Sequence, residues 1–304
     1  MVFLLHFKSL NMNCLLNFSK FLAAPVLMLF MLSGCDGMGG NKTKSNFPNT
    51  DMYDLHNPVV VNLPADLDEI SGIAYYAKDT SVFAIVDEIG LLYKIPIMRP
   101  NEITKWPFDD NGDFEDIVLK DSSFYVLVSN GDVMKLDFEG TKVISRKLNL
   151  STEGKKTNEF ESMYLASDSS TIIIMCKDCK EDKKLKVSEY SFNAGDDSAG
   201  LSLFREIQVS PIAQGMGETK FNLKASAAAI NPINGDLYVV ASVNKALIIL
   251  DSAANFKKAY KLDPKIYKQP EGIAFTPDGD LIITNEVFLE GYANLLIMKN
   301  KKKK

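Results

Sequence analysis

A short segment recurs five times along this chain, and the recurrence restricts the possible fold more than any other sequence feature. The copies occupy residues 70–75, 114–119, 160–165, 225–230 and 270–275. Their aligned second positions are 44, 46, 65 and 45 residues apart and carry Ser71, Glu115, Glu161, Ser226 and Glu271. A period in the forties with several short strands per repeat is typical of β-propeller blades.

Strand-like runs follow each repeat start, separated by polar turns and rich in β-branched and aromatic residues. This pattern predicts an all-β fold, a β-propeller of five blades over residues 58–299. Six blades are the alternative, if an insertion near residues 193–200 hides one. The last repeat runs out of chain after three strands, whereas residues 59–63 precede the first repeat. We therefore expect this N-terminal segment to supply the missing outer strand and close the ring.

The N-terminal residues resemble an export signal. Residues 21–32 are uncharged and apolar, too short to span about 30 Å of hydrocarbon as a helix but suited to a secretory signal. The run ends in Leu32, Ser33, Gly34 and Cys35, which resembles the lipobox of bacterial lipoproteins. We expect a signal peptide over residues 1–34, lipidation of Cys35 and a lipid anchor in a bacterial envelope membrane, inner or outer.

The segments flanking the predicted propeller are polar. Residues 35–57 are rich in Gly, Asn, Lys, Ser and Asp, a composition that predicts a flexible tether between lipid and domain. Residues 300–304 are expected to form a short basic tail in solvent. With both ends outside, the folded domain contains no histidine, since His6 and His56 fall in the signal and the tether.

Composition excludes several classes of function. A formal charge of −5 argues against nucleic acid as a partner, because phosphate binding needs a basic surface. The lack of histidine in the predicted domain argues against Ser-His-Asp catalysis and against histidine-ligated zinc or haem, and we expect no nucleotide site either. Cys176 and Cys179 follow a strand-like run, and in an exported protein they are expected to form a structural disulfide or to remain free thiols.

Several motifs together resemble the SdiA-regulated, YjiK-like family of β-propellers. They are found at residues 67–74, 86–88, 160–162, 269–275 and 284–286. The resemblance covers roughly residues 59–298. It implies a propeller fold, an envelope location and a link to calcium, and it supplies no settled activity.

Acidic and amide side chains recur where inner strands start and second strands end, which is one face of a propeller. The predicted members of this ring are Glu69, Asp87, Glu88, Glu115, Asn130, Glu161, Glu271, Asn285 and Glu286. Like charges brought together favour a cation or protons, and oxygen ligands suit a hard divalent ion. We therefore predict a divalent-cation site, with calcium as the expected ion. The alternative is that these glutamates only hydrogen-bond neighbouring blades together.

Three functions remain open at this stage. The first is a monomeric, envelope-anchored propeller that binds calcium or a small ligand at the channel mouth. The second is a calcium-dependent hydrolase, either a lactonase or esterase or a phytase-like phosphatase, in which the ion acts as a Lewis acid. The third is a scaffold that docks another envelope protein.

Overall fold

The structure is a computed structural model that describes residues 47–150, 158–195 and 200–302. The predicted signal peptide, Cys35 and most of the tether lie outside the described residues. Within the described ranges, no helix is both long enough and apolar enough to cross a membrane.

The described strands form five antiparallel sheets of four strands each, arranged as the blades of a β-propeller. Blades 1 and 2 contain β2 (Ile70–Tyr76), β3 (Ser81–Val86), β4 (Ile89–Pro96) and β5 (Thr104–Asn111), then β6 (Phe114–Lys120), β7 (Ser123–Val128), β8 (Val133–Glu139) and β9 (Lys142–Lys147). Blades 3 and 4 contain β10 (Glu159–Leu165), β11 (Thr171–Asp178), β12 (Lys186–Asn193) and β13 (Ser202–Gln208), then β14 (Ala227–Ile230), β15 (Leu237–Ala241), β16 (Ala246–Leu250) and β17 (Phe256–Lys261). Blade 5 contains β18 (Pro270–Phe275), β19 (Leu281–Asn285), β20 (Asn294–Met298) and β1 (Val59–Asn62).

The prediction of five blades and of closure by an N-terminal outer strand is confirmed. Strand β1 pairs antiparallel with β20, from Val59 opposite Ile297 to Asn62 opposite Asn294. The fifth sheet is therefore completed by the two ends of the domain, and both β1 and β20 gain a hydrogen-bonded neighbour.

The core consists of five apolar clusters, each filling the interface between two neighbouring blades. The alternation of side chains along a strand produces this arrangement. Along β15, Tyr238 and Val240 pack toward blade 5, whereas Leu237, Val239 and Ala241 pack toward blade 3. The second strands are therefore apolar on both faces, which explains the continuous apolar runs in the sequence.

The long interval between the third and fourth repeats does not hide a sixth blade. Part of its extra length is α1 (Val209–Met216), which follows β13 and buries Val209 and Ile212 against the cluster between blades 3 and 4. The all-β prediction did not include this short helix. The segment is too short for helical periodicity to stand out, and it contains Pro211 and Gly215, which disfavour a helix.

The predicted tether is shorter than expected, because residues 47–57 pack on the propeller. Tyr53 is fully buried, and its hydroxyl donates to Gly279 O at 2.7 Å and accepts from Asn231 Nδ2 at 2.8 Å. Met52 and Leu55 join the cluster between blades 4 and 5. The three buried apolar side chains of this segment, Met52, Tyr53 and Leu55, therefore attach it to the propeller.

Two further expectations were wrong, those of a basic tail from residue 300 and of a folded domain without histidine. The C-terminal residues do not leave the domain at residue 300: Asn300 is buried, and Lys301 donates from its backbone to Met52 O at 2.9 Å and from Nζ to Tyr53 O at 2.9 Å. His56 belongs to the docked segment, half-buried, so the folded domain contains one histidine.

Candidate functional site

A cavity of about 510 Å³ opens where the inner strands begin, at the mouth of the central channel. Its lining includes eight carboxylates and two ammonium groups, those of Lys177 and Lys245. The carboxylates are Glu69, Asp87, Asp113, Glu115, Glu159, Glu161, Glu271 and Glu286. Six of the nine residues predicted for this face therefore line one cavity, and the excess of negative charge is large.

A repeated β-bulge directs three of these glutamates into the mouth. In the pairing of inner and second strands, Glu115, Glu161 and Glu271 each fall at a register shift and have no opposite residue. A bulge adds an unpaired residue and turns its side chain out of the regular alternation. Ser71 falls within the same irregularity in blade 1. The aligned second position of the sequence repeat thus corresponds to a β-bulge that recurs in four of the five blades.

Glu161 and Lys177 form the central ion pair of the mouth. Lys177 Nζ lies 2.7 Å from Glu161 Oε1 and 3.7 Å from Glu159 Oε1. Burial opposes the charged form of Lys177, but the surrounding carboxylates outweigh it and raise its pKa. Glu161 is only 8% exposed, and its Oε2 accepts no hydrogen bond from the described residues. One oxygen of a carboxylate that lines the cavity is thus buried without a hydrogen-bond partner among the described residues.

Serines from blade 4 support the glutamate of blade 5. Burial raises the pKa of Glu271, and the nearby hydroxyls of Ser226 and Ser242 oppose that rise. Ser226 occupies the repeat position that carries glutamate in blades 2, 3 and 5. The sequence shows only that the acidic ring is interrupted there, whereas the structure places the serine near the glutamate of the neighbouring blade.

Neighbouring polar side chains hold two further mouth acids, Asp113 and Glu286. Burial and the neighbouring carboxyl group of Asp113 raise the pKa of Asp87, and Ser129 Oγ donates a hydrogen bond to Asp113. Gln269 Nε2 donates to Glu286 Oε2. Asp113 was not among the predicted residues. Its position directly before the second repeat could have indicated that it lies at the mouth.

Burial raises the pKa values of the mouth acids. The pKa of Glu115 rises to about 9, first through burial and then through the charge of Glu161. Burial raises the pKa values of Glu161 and Glu286 to about 7 and that of Asp87 to about 6, the latter with help from the neighbouring carboxyl group of Asp113. The mouth therefore retains protons near neutral pH, which a bound cation would displace.

Three predicted residues do not line the mouth. Glu88 is exposed, Asn130 hydrogen-bonds Asp132 within its own turn, and Asn285 Nδ2 donates to Ile266 O at 2.8 Å and to Asn294 Oδ1 at 3.1 Å. These residues lie at second-strand ends, where turn geometry decides the direction of each side chain. Strand order alone predicted that these residues lie near the mouth, but it could not predict the direction of their side chains.

The stapling role expected for the glutamates belongs instead to Asp116. Its carboxylate accepts from Met163 N of blade 3 at 2.7 Å and from Ile117 N at 2.8 Å, and the side chain is buried. Gly72 lies against it from blade 1, where a Cβ would come within 2.5 Å of Asp116 Cα. This position of the inner strand packs blades together, one residue beyond the position that lines the mouth.

The mouth acids are dispersed rather than gathered. Within the described ranges, Cys176, Cys179 and Asp182 form the single group of three histidine, cysteine or carboxylate ligand atoms lying within 4.8 Å of one another. Cys176 and Cys179 are joined in a disulfide, so their sulfurs are not available as thiolate ligands. A single ion bound in the mouth would therefore have to draw the carboxylates inward.

The opposite end of the channel differs in chemistry. A second cavity of about 560 Å³ opens there, lined by apolar residues at or next to the last position of all five inner strands: Tyr75, Leu119, Leu165, Ile230 and Phe275. The charged groups are therefore concentrated at the first mouth.

Comparison with known proteins supports the fold alone. Neither a family model nor a curated protein sequence matches this chain. Glutaminyl cyclase of Myxococcus xanthus superposes with a TM-score of 0.55 at 13% identity, covering 80% of this chain and 95% of that one. A luciferin-regenerating enzyme superposes at 0.50 and 12% identity, with coverages of 82% and 97%, and a glucose dehydrogenase at 0.50 and 10%, with coverages of 79% and 99%. Similarity at such identities identifies a β-propeller and carries no activity across.

Proposed function

We propose that the protein is a cation-binding propeller whose site is the acidic mouth of the channel. The observation that carries the proposal is Glu161 Oε2, a buried carboxylate oxygen without a hydrogen bond from the described residues, on a side chain that lines the cavity together with seven other acids. An unpaired buried acceptor is costly, and a bound cation would satisfy it while displacing protons from its neighbours.

Two kinds of cation fit this chemistry. Calcium accepts six to eight oxygen ligands at about 2.3–2.6 Å, and the mouth offers oxygen donors in excess. The dispersion of the carboxylates also suits an extended organic cation, such as a polyamine, whose separate ammonium groups would contact acids of different blades. The oxygen donors of the mouth favour calcium, whereas the wide separation of the carboxylates favours a polyamine.

We further propose that the propeller works at a bacterial envelope membrane, anchored by a lipid on Cys35, and that it belongs to the SdiA-regulated, YjiK-like family. The support is the run of residues 32–35 and the order of the repeat motifs. Metabolic labelling with an alkynyl fatty acid tests the anchor. The wild-type protein is expected to take up label in the membrane fraction and the Cys35→Ser variant to remain unlabelled.

Thermal melting with calcium, magnesium and spermidine tests the cation site. A ligand at a hundredfold excess over its Kd adds about 2.7 kcal/mol to folding. For a domain of this size, we expect Tm to rise by roughly 5–10 °C. Glu161→Gln and Glu271→Gln are expected to remove most of the rise. Glu139→Gln, at the exposed end of β8, is the matched control and should retain it. A Tm that responds to none of the three cations would refute the proposal.

Enzymatic activity stays a prediction. Aryl ester, lactone and phosphomonoester substrates offered to the calcium-loaded protein would test the hydrolase alternative, with Glu161→Gln as the inactive reference. Turnover that Glu161→Gln abolishes would assign the hydrolysis to the mouth.

A further inference from the structure

Apolar side chains surround the acidic mouth on the turns between second and third strands. Each of these turns lies on the mouth face, because the inner strand starts and the second strand ends there. Large apolar residues are exposed on four of the five turns: Ile89, Leu185, Val243, Phe288, Leu289 and Tyr292. Exposed apolar residues grouped around a charged opening are typical of a surface that another molecule covers.

The loop between β19 and β20 carries half of this group. Phe288, Leu289 and Tyr292 are 51%, 88% and 64% exposed. The loop is nonetheless fixed to the fold at its base: Val287 N donates to Asp68 O at 2.9 Å, and Lys268 Nζ donates to Glu290 O at 3.2 Å. Three apolar side chains are therefore held outward on an anchored loop, an arrangement that costs solvation unless they are covered at times.

Carboxylates flank this loop and the neighbouring turn of blade 1. Around Ile89 and residues 286–292 the chain places Asp68, Glu69, Asp87, Glu88, Glu286 and Glu290. Three of these acids, Glu69, Asp87 and Glu286, also line the mouth. Blades 5 and 1 are direct neighbours, joined by a common apolar cluster. We call this region, residues 68–69, 87–89 and 286–292, the acidic-apolar sector.

We propose that the acidic-apolar sector is a docking surface for a polypeptide segment that carries a lysine or arginine among apolar residues. The basic side chain enters the mouth beside Glu69 and Glu286, and the apolar neighbours cover Phe288, Leu289 and Tyr292. Charge complementarity selects the partner, and burial of the aromatic and aliphatic side chains stabilises the complex. The inference rests on the proposed function to the extent that the basic side chain uses the same cation site.

The charges of the sector favour a peptide over a lipid surface. Bacterial and other anionic head groups would be repelled by six nearby carboxylates, whereas a basic segment is attracted by them. Rows of exposed apolar residues that insert into anionic membranes are usually accompanied by basic residues. Here six carboxylates lie near the apolar loop, against one ammonium group, that of Lys268.

Fluorescence anisotropy with a labelled decapeptide of interspersed lysine and leucine tests the proposal. We expect saturable binding to the protein. Counterparts with glutamate in place of lysine, or serine in place of leucine, are expected to bind at least tenfold more weakly. Leu289→Ser with Tyr292→Ser should weaken binding of the first peptide about tenfold or more. Met98→Ser is the matched control, since Met98 is 81% exposed on a turn of the opposite face, and it should bind as the wild type does.

Three results would overturn the inference. One is equal binding of all three peptides, and a second is binding that the loop variant leaves unchanged. The third is stronger attachment to phosphatidylglycerol vesicles than to the peptide, lost in the same variant. The variant does not alter the residues that line the mouth, so its Tm rise with spermidine or calcium should persist. If the wild-type protein does not bind the peptide but its Tm still rises with spermidine or calcium, only the docking surface is refuted. If the wild-type protein shows neither peptide binding nor a Tm rise, the cation site is refuted as well.

Discussion

Lys177 already places a positive charge in the mouth, which makes it an internal competitor for any cation. Its ammonium occupies one oxygen of Glu161 and lies near Glu159, so a ligand reaches these carboxylates only by sharing or displacing it. Lys177 offsets the repulsion between the mouth acids when no ligand is bound, and for the same reason it lowers the affinity of the mouth for a cation.

Replacing Lys177 by methionine should tighten cation binding and weaken the ligand-free fold. The variant Lys177→Met frees both oxygens of Glu161, and we expect calcium or spermidine to bind roughly tenfold more tightly, about 1.4 kcal/mol. Isothermal titration calorimetry at pH 8 provides the measurement. Lys224→Met is the control, because Lys224 pairs with the exposed Asp178 at 2.9 Å. Unchanged affinity in Lys177→Met would show that the ammonium and the ligand do not compete.

The hydroxyl of Tyr53 supports a second residue-level prediction. Tyr53→Phe removes a hydrogen bond to Gly279 O and one from Asn231 Nδ2, leaving two buried groups without a partner. We expect the free energy of unfolding to fall by about 1–3 kcal/mol, measured by urea denaturation. Tyr292→Phe, at an exposed hydroxyl, should stay within about 0.5 kcal/mol of the wild type. Equal stability of both variants would contradict the docking of residues 47–57.

At the residue scale, the sequence predicted which acids meet but not how they are held. Glu115, Glu161 and Glu271 reach the mouth because a bulge recurs at the repeat position, and repetition is visible in a sequence. The side chains of Asn130 and Asn285 turn away to satisfy nearby donors and acceptors. That outcome depends on turn geometry and on neighbours distant in sequence, which periodicity does not encode.

At the scale of elements, β1 is the outermost strand of blade 5 and pairs along one edge only. Leu63 N donates to Ala293 O at 2.8 Å, so in this antiparallel ladder the amides of alternate residues, including Val61, face β20. The amides between them, including that of Val60, face away from the sheet. The two adjacent valines therefore differ in one respect that proline can test.

Val61→Pro should destabilise the ring, and Val60→Pro should do so much less. The first substitution removes an amide that bonds β20 and leaves its carbonyl partner unpaired, at a cost of about 1–3 kcal/mol. The second removes an amide that faces solvent, as proline does on natural edge strands. Urea denaturation of both variants measures the difference. Equal losses of stability would mean that β1 does not pair in the described register.

At the scale of the whole molecule, the raised pKa values make stability depend on pH. Glu115, Glu161, Glu286 and Asp87 keep protons in the folded state that the unfolded chain, with pKa values of 4.5 for glutamate and 3.8 for aspartate, has already released. Between the unfolded values and about pH 9 the folded protein binds more protons. By linkage, its stability then falls as pH rises.

Urea midpoints measured from pH 5 to pH 9 without ligand should decline across that range. Glu115→Gln should flatten the decline above pH 7, because glutamine does not titrate, whereas the exposed Glu139→Gln should leave the slope unchanged. Calcium or spermidine should stabilise the protein more at pH 8 than at pH 5, since protons compete for the same oxygens. A midpoint that rises with pH would show that the mouth acids ionise freely.

The arrangement of the blades was predictable because it repeats. Strand number, blade number and ring closure follow from five copies of one unit and a leftover strand. The docked residues 47–57 and α1 were not predicted, since each occurs once and is stabilised by contacts with surfaces that exist only after the blades have assembled. An element that occurs only once has no second copy in the chain with which its sequence can be aligned.

The pairing of β1 with β20 also sets an order of events during synthesis. Of the described strands, β1 is the first to be made and β20 the last, so blade 5 stays incomplete until almost the entire chain has emerged. Blades 1 to 4 are each continuous in sequence and can assemble as they appear, whereas β1 waits without its partner. A nascent chain would thus carry an unsealed ring until its final strand arrives, and the ring would close in one late step.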